Sequence, residues 1–243
     1  MNIWVNEHRN TLNLDLQAQR KELKKNDPKV ADISCSVGLH PCETVFGNIK
    51  SSETLDIEIQ KLELMAIENR ANIVAIWECG IDAHHERNNN IRDLQIELFH
   101  RQCLLARKLK LPIVIHSRSQ RDITLDVLNQ YTDLKVNLHC RSYTPLHIKK
   151  AIELFPHLRI GFCGNITYKK AIDIQESLDL YASAGGKFLL ETDAPYLSPT
   201  PMRWKQNEPS HITHTYDRVA QRLNISKEKL IKKVYVYGKE LYI

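Results

Sequence analysis

A chain of 243 residues, 42% hydrophobic and 26% charged, has ordinary globular composition and enough apolar mass for one large core. No stretch resembles a transmembrane span, and the 6 dispersed cysteines lack a C-x-x-C pair, which argues against a zinc ribbon or a disulfide-stapled secreted domain and for reduced thiols. The net charge of +5 is compatible with a polyanionic partner but too modest to establish one.

Short runs rich in apolar residues predict strands at residues 2–5, 32–37, 73–77, 112–115, 134–138, 159–163 and 187–191. Helical patterns fill the gaps, at residues 16–25, 54–69, 91–109, 123–130, 145–154, 172–183 and 213–223. Residues 91–109 carry the clearest pattern, with Leu94, Leu98, Leu105 and Leu109 on one stripe and Gln95 and Gln102 beside it. A last helix starts at Ser226, whose hydroxyl suits an N-cap. No linker or low-complexity block interrupts the series, so residues 1–243 are expected to form a single domain. The opening residues hold no continuous apolar region of signal-peptide type, and an intracellular protein is expected, cytoplasmic and also nuclear.

Glu78, His116, His139 and Asp193 each stand at the downstream end of a separate run: IVAIWE, LPIVIH, LKVNLH and FLLETD. Segments long enough for a returning helix separate the runs, which makes the strands parallel. A parallel α/β protein gathers such strand ends on one face, where residues far apart in sequence can meet around a metal ion. The repeated units fit a (β/α)8 barrel lacking one repeat, or an open doubly wound sheet. Alternation along a strand puts Glu78 on the face of Ile76 and Val74, with Trp77 and Cys79 pointing away. It likewise pairs His116 with Val114, His139 with Asn137 and Asp193 with Glu191. Convergence of four strand ends favours the barrel, because an open sheet sets its ends in a line.

A lone histidine at a strand end is usually a hydrogen-bonded structural residue. Two of them with Glu78 and Asp193 on four strands shift that balance, since unpaired carboxylates are costly at an interior mouth. Glu191, two residues before Asp193, reads as a partner orienting a histidine or arginine. His84 and His85 sit in a polar stretch and read as surface residues. Arg118, Arg141, Lys169, Lys170, Arg203 and Lys205 are phosphate-contact candidates, although a single lysine is more often simply solvated. Trp204 is either a base-stacking residue or a loop anchor.

Several linked motifs resemble the TatD family of metal-dependent deoxyribonucleases, within the amidohydrolase-like barrels. They run from Val37-Gly-Leu-His-Pro41 through Ala75-Ile-Trp-Glu-Cys-Gly-Ile-Asp82, Leu111-Pro-Ile-Val-Ile-His-Ser-Arg118, Leu138-His-Cys140, Gly164-Asn-Ile-Thr167 and Leu190-Glu-Thr-Asp-Ala-Pro-Tyr-Leu197 to Asn207-Glu-Pro-Ser-His211. The resemblance implies a TIM-type barrel and hydrolysis of phosphodiester bonds in DNA, of 3′ exonuclease type. It matches Glu78, His116, His139 and Asp193 to the family's metal ligands. It differs in one respect: the family generally begins with a strand that often carries an H-x-H ligand pair and a following helix, whereas Ile3-Trp-Val-Asn-Glu-His8 matches the second family strand. The first β/α unit is therefore expected to be missing and one ion site weakened. Trp77, Ala83 and Arg141 also depart from the family pattern and bear on substrate preference.

Two imidazoles and two carboxylates suit one or two divalent ions, with Mg, Mn and Zn all open and Glu78 bridging if there are two. Asp193 accepts a proton from the attacking water in this reading, Glu78 is the second catalytic residue, and His40, Arg118 and Arg141 contact substrate. DNA is the expected partner, with no membrane and no obligate protein partner. Two alternatives remain open: a metal hydrolase of a small ester, amide or lactone, and a catalytically impaired nucleic-acid-binding paralogue.

Overall fold

A computed structural model describes residues 34–84, 89–139 and 144–243. The strand expected at 2–5, the helix expected at 16–25, His85, Cys140 and Arg141 lie outside the described residues.

Six strands follow in chain order: β1 (Cys35–Val37), β2 (Ile73–Asp82), β3 (Ile113–Arg118), β4 (Val136–Leu138), β5 (Leu158–Phe162) and β6 (Phe188–Leu190). Neighbours in the sheet are neighbours in sequence, and all five pairings are parallel. Helices α1 (Ser52–Glu68), α2 (Asn89–Leu109), α3 (Arg121–Leu128), α4 (Pro145–Leu154) and α5 (Ile172–Ser183) return the chain after β1 to β5. Helices α6 (Ile212–Arg222) and α7 (Lys227–Tyr242) follow β6. An unreversed strand order with a helix after each strand is the curled half-barrel of a TIM-type α/β fold, whereas a doubly wound sheet reverses its order at a switch point.

The local chemistry explains the element ends. Ser51 caps α1 by accepting from the Thr54 backbone N–H, and Ser226 caps α7 by accepting from that of Lys229, as a capping serine should. Between sheet and helices lies an apolar layer that includes Ile76, Phe99, Ile113, Ile115, Leu125, Val136, Leu138 and Ile148. The other side of the sheet is partly polar. Val114, Asn137 and Arg159 are register partners across β3, β4 and β5, and Asn137 and Arg159 are buried. The end of α7 closes over this floor: Glu240 Oε2 pairs with Arg159 Nη2 at 2.9 Å, and the Tyr242 hydroxyl accepts from Asn137 Nδ2 at 3.3 Å. Cys35, Cys42, Cys79 and Cys103 are free thiols as expected, whereas Cys163 is disulfide-bonded and departs from that expectation.

Candidate metal centre

Glu78, on β2, is the hub of the site. Its Oε2 lies 2.9 Å from His116 Nδ1 and 3.3 Å from His40 Nε2, and its Oε1 lies 3.3 Å from His139 Nε2. Asp193 Oδ1 stands 3.1 Å from the same His139 nitrogen. The four residues expected to converge therefore do so, and His40 joins them. Two groups of ligand atoms lie within 4.8 Å of one another, His40 with Glu78 and His116, and Glu78 with His139 and Asp193. Glu78 belongs to both.

Further carboxylates grip the outward nitrogens of the histidines. Asp82 Oδ2 is 3.1 Å from His116 Nε2, and Glu191 Oε2 is 2.8 Å from His139 Nδ1. Glu191 Oε1 accepts from Asn137 Nδ2 at 2.8 Å, so the polar floor of the sheet holds the carboxylate that holds the histidine. Glu191 thus takes the orienting place its spacing suggested. Burial opposes the charge on His139, but Glu191 and Glu78 outweigh it and raise its pKa well above the usual range. Burial likewise opposes charge on His116, yet its bonds to Asp82 and Glu78 leave the pKa raised. Burial would push Glu78 up, but His139, His116 and His40 hold it well below the usual carboxylate range. Asp82 resists burial in the same way, and bonds from His116 and the His84 backbone N–H hold it at about 2. The carboxylates thus favour protonated imidazoles, and a divalent cation would bind in exchange for those protons. This donor set of imidazole nitrogens and carboxylate oxygens fits a divalent cation.

Helix α2 fixes two of these residues through its fully buried glutamines. Gln102 accepts from the Leu39 N–H at 2.8 Å and donates to the Leu39 carbonyl at 2.9 Å, pinning the backbone beside His40. Gln95 does the same at Asp82, at 3.0 and 3.2 Å. Each amide presents the donor and acceptor that a neighbouring strand would supply. Just before Leu39, a Cβ at Gly38 would meet the Trp77 carbonyl oxygen at 2.0 Å, so only glycine lets this loop lie against β2. Asp193 has a left-handed backbone, φ 57. Its loop is held by Asn207, whose Nδ2 donates to the carbonyls of Thr192 at 2.7 Å and Tyr196 at 2.6 Å.

The facing expected along β2 fails at two points, and the first is Ile76, which lies in the apolar layer with its register partner Ile113 and not on the face of Glu78. Trp77 is the second and does not point away from the site: its ring meets that of His139 edge-on, with centroids 4.5 Å apart. The β2–β3 register shifts between Ile76 and Cys79, and strict alternation does not survive such an irregularity. Cys79 is fully buried and free, and it lies in the apolar layer with its register partner Ile115, pointing away from the site as expected. Arg118 ends β3 as the register partner of Asp82, and its charge helps to keep Asp82 ionised. His84 is exposed, in line with a surface role. Asp82 was missed as a site residue, although it closes the motif that contains Glu78. Cys42 was missed too: it forms a third close group with His40 and Asp82.

The family model described as TatD related DNase matches residues 8–242. The chain belongs to this family. An uncharacterized metal-dependent hydrolase of Buchnera aphidicola is 29% identical over 208 residues, spanning 85% of this chain and 74% of the relative. A Citrobacter koseri protein named as a 3'-5' ssDNA/RNA exonuclease, TatD, is 30% identical over 192 residues, 76% of this chain and 68% of its own. The solved structure of a TatD homologue from Escherichia coli superposes with a TM-score of 0.72 at 23% identity, covering 93% of this chain and 81% of the other, which supports the fold. The TatD-family chain is thus a metal-dependent hydrolase whose cofactor is a divalent ion, in agreement with its clustered ligand groups.

Proposed function

We propose that this chain hydrolyses phosphodiester bonds in DNA, removing nucleotides from 3′ ends, as a single domain over residues 1–243. The observation that carries the reading is Glu78, whose two oxygens face His40 and His116 on one side and His139 on the other, with Asp193 adjoining. The family description and the name of the Citrobacter koseri relative support the choice of nucleic acid.

Glu78, His116, His139 and Asp193 are the proposed ligands of one or two ions, with Glu78 between them. When bound, a divalent ion supplies positive charge at the phosphate and lowers the pKa of a water molecule. Asp193 takes the proton from the attacking water. Its side chain is 24% exposed against 10% for Glu78, so it is the more accessible carboxylate on that flank. Glu191 and Asp82 hold the two histidines in orientation. Arg118 neutralises a non-bridging phosphate oxygen, for its guanidinium has no hydrogen bond or ion pair among the described residues. Arg141 is proposed for the same role, and His40 contacts substrate at the edge of the site. The enzyme acts in the cytoplasm, with the nucleus as a second location. Among the described residues no helix is long and apolar enough to cross a membrane.

The test is degradation of single-stranded DNA carrying a label at either end, with Mn²⁺ or Mg²⁺ added. Mononucleotide release from the 3′ end, stopped by EDTA, supports the reading. Intact DNA combined with hydrolysis of a small ester or lactone overturns it.

A further inference from the structure

Trp204 is the most exposed large apolar side chain among the described residues, at 91%. An anchoring tryptophan would be buried, so the loop-anchor reading falls. The loop that carries it is nevertheless held on either side of Trp204. The Tyr168 hydroxyl donates to the Ser198 carbonyl at 2.9 Å, the Thr200 N–H donates to Thr167 Oγ1 at 2.8 Å, and Ser198 Oγ donates to the Lys205 carbonyl at 2.5 Å. The Arg203 guanidinium lies over the Tyr168 ring at 4.3 Å and within 5.4 Å of the Trp204 ring. An arginine resting on two aromatic rings keeps its flat cation oriented at little entropic cost.

Cations predominate on this loop, and the exposed carboxylate of Glu208 is turned to Ser210 and His211. Arg203, Lys205, Lys169 and Lys170 are all exposed, and none has a carboxylate partner among the described residues. Tyr196, 66% exposed, stands in the stretch that Asn207 ties to the Asp193 loop. An exposed aromatic ring on a held loop, with cations that have no carboxylate partner among the described residues, is what a single-stranded nucleic acid needs: a surface for a base and charge for the phosphates on either side.

We propose that Trp204, with Arg203 and Lys205, is a stacking platform for a base of single-stranded nucleic acid whose end lies in the metal centre. The platform rests on the nuclease reading for its substrate, but its own claim concerns binding. Trp204 stacks on the base, Arg203 and Lys205 pair with phosphates, and the pinned loop sets the distance from the platform to the Asp193 segment.

The experiment measures binding of a fluorescein-labelled oligothymidylate by anisotropy, in EDTA so that no turnover occurs, for the full chain and for Trp204→Ala, Trp204→Phe and Arg203→Ala. Trp204→Ala should weaken binding by about tenfold or more, with Trp204→Phe recovering most of the loss. Arg203→Ala should flatten the dependence of log affinity on log salt by about one unit. An oligonucleotide with abasic sites should bind the parent and Trp204→Ala alike. The circular dichroism spectrum and thermal midpoint of Trp204→Ala should match those of the parent, which shows that the variant is folded. Equal affinity of the parent and Trp204→Ala for oligothymidylate, or no binding by either, overturns the platform. If DNA is bound through Trp204 yet never cut, the platform stands and the nuclease reading falls. If DNA is cut and bound equally by both proteins, the reverse holds.

Discussion

Glu191 accepts from His139 Nδ1 at 2.8 Å while its other oxygen accepts from Asn137 at 2.8 Å, so one buried carboxylate joins the floor of the barrel to the metal centre. Room for it comes from β5, where a Cβ at Gly161 would lie 2.1 Å from Glu191 Oε2. Replacing Glu191 with glutamine turns an acceptor into a donor facing either Asn137 or His139. Mn²⁺ affinity should fall by about 10–100-fold, the usual cost of losing the partner that orients a histidine ligand. A manganese titration followed by electron paramagnetic resonance checks this, and unchanged affinity would mean that Glu191 does not orient His139.

Asp193→Asn should abolish hydrolysis at saturating Mn²⁺ with the fold intact. Asparagine tolerates the left-handed backbone found at this position, so the change removes a charge without adding strain. His139→Ala should be equally inactive. Activity of Asp193→Asn within a few fold of the parent would refute its assignment as proton acceptor.

Gln102→Ala strands the N–H and carbonyl of Leu39, both of which its buried amide satisfies. The expected loss is about 2–4 kcal/mol, from two unpaired backbone groups and the emptied volume. Urea denaturation reads it as a lower midpoint with the same slope. A loss under about 0.5 kcal/mol would show that the Leu39 loop finds other partners.

Tyr181 lies against β5, where its hydroxyl donates to the Leu158 carbonyl at 2.8 Å, and burial raises its pKa to about 12. A raised folded-state pKa means that the folded chain holds this proton more tightly than the unfolded chain. The stabilisation is complete below about 10 and is lost as the pH rises towards about 12. Tyr181→Phe should start less stable at neutral pH and fall less steeply over that alkaline window. Parallel stability curves for the two proteins, from denaturation at a series of pH values, would rule out this titration.

Much of the architecture was legible because strand and helix periodicities alternate without ambiguity from β2 onwards. The helix predicted at 145–154 is α4 itself, and the stripe through Leu98 and Leu105 is the buried face of α2. The four strand-end residues were legible because parallel topology turns a sequence position, the downstream end of an apolar run, into a place in space. Asp82 was not, because its role depends on how far β2 continues past Glu78, and the apolar run gives no sign of that. Trp77 was misplaced for a related reason: alternation assumes an unbroken register, and the shift between Ile76 and Cys79 leaves no mark in composition. The two glutamines were visible beside the stripe, but their bonds to Leu39 and Asp82 depend on tertiary contacts.

Asn207 has a consequence for how such a protein can change its target. One side-chain amide holds both ends of the Thr192–Tyr196 stretch, and its Oδ1 accepts from the Glu208 N–H at 3.0 Å and faces His211 Nδ1 at 3.2 Å. The loop bearing Asp193 and the loop bearing Trp204 are therefore one mechanical cassette, contiguous in sequence and buttressed from within. Transplanting residues 192–211 as a block between relatives would move the surface that reads the substrate while leaving Glu78, His116 and His139 on strands that the graft never touches.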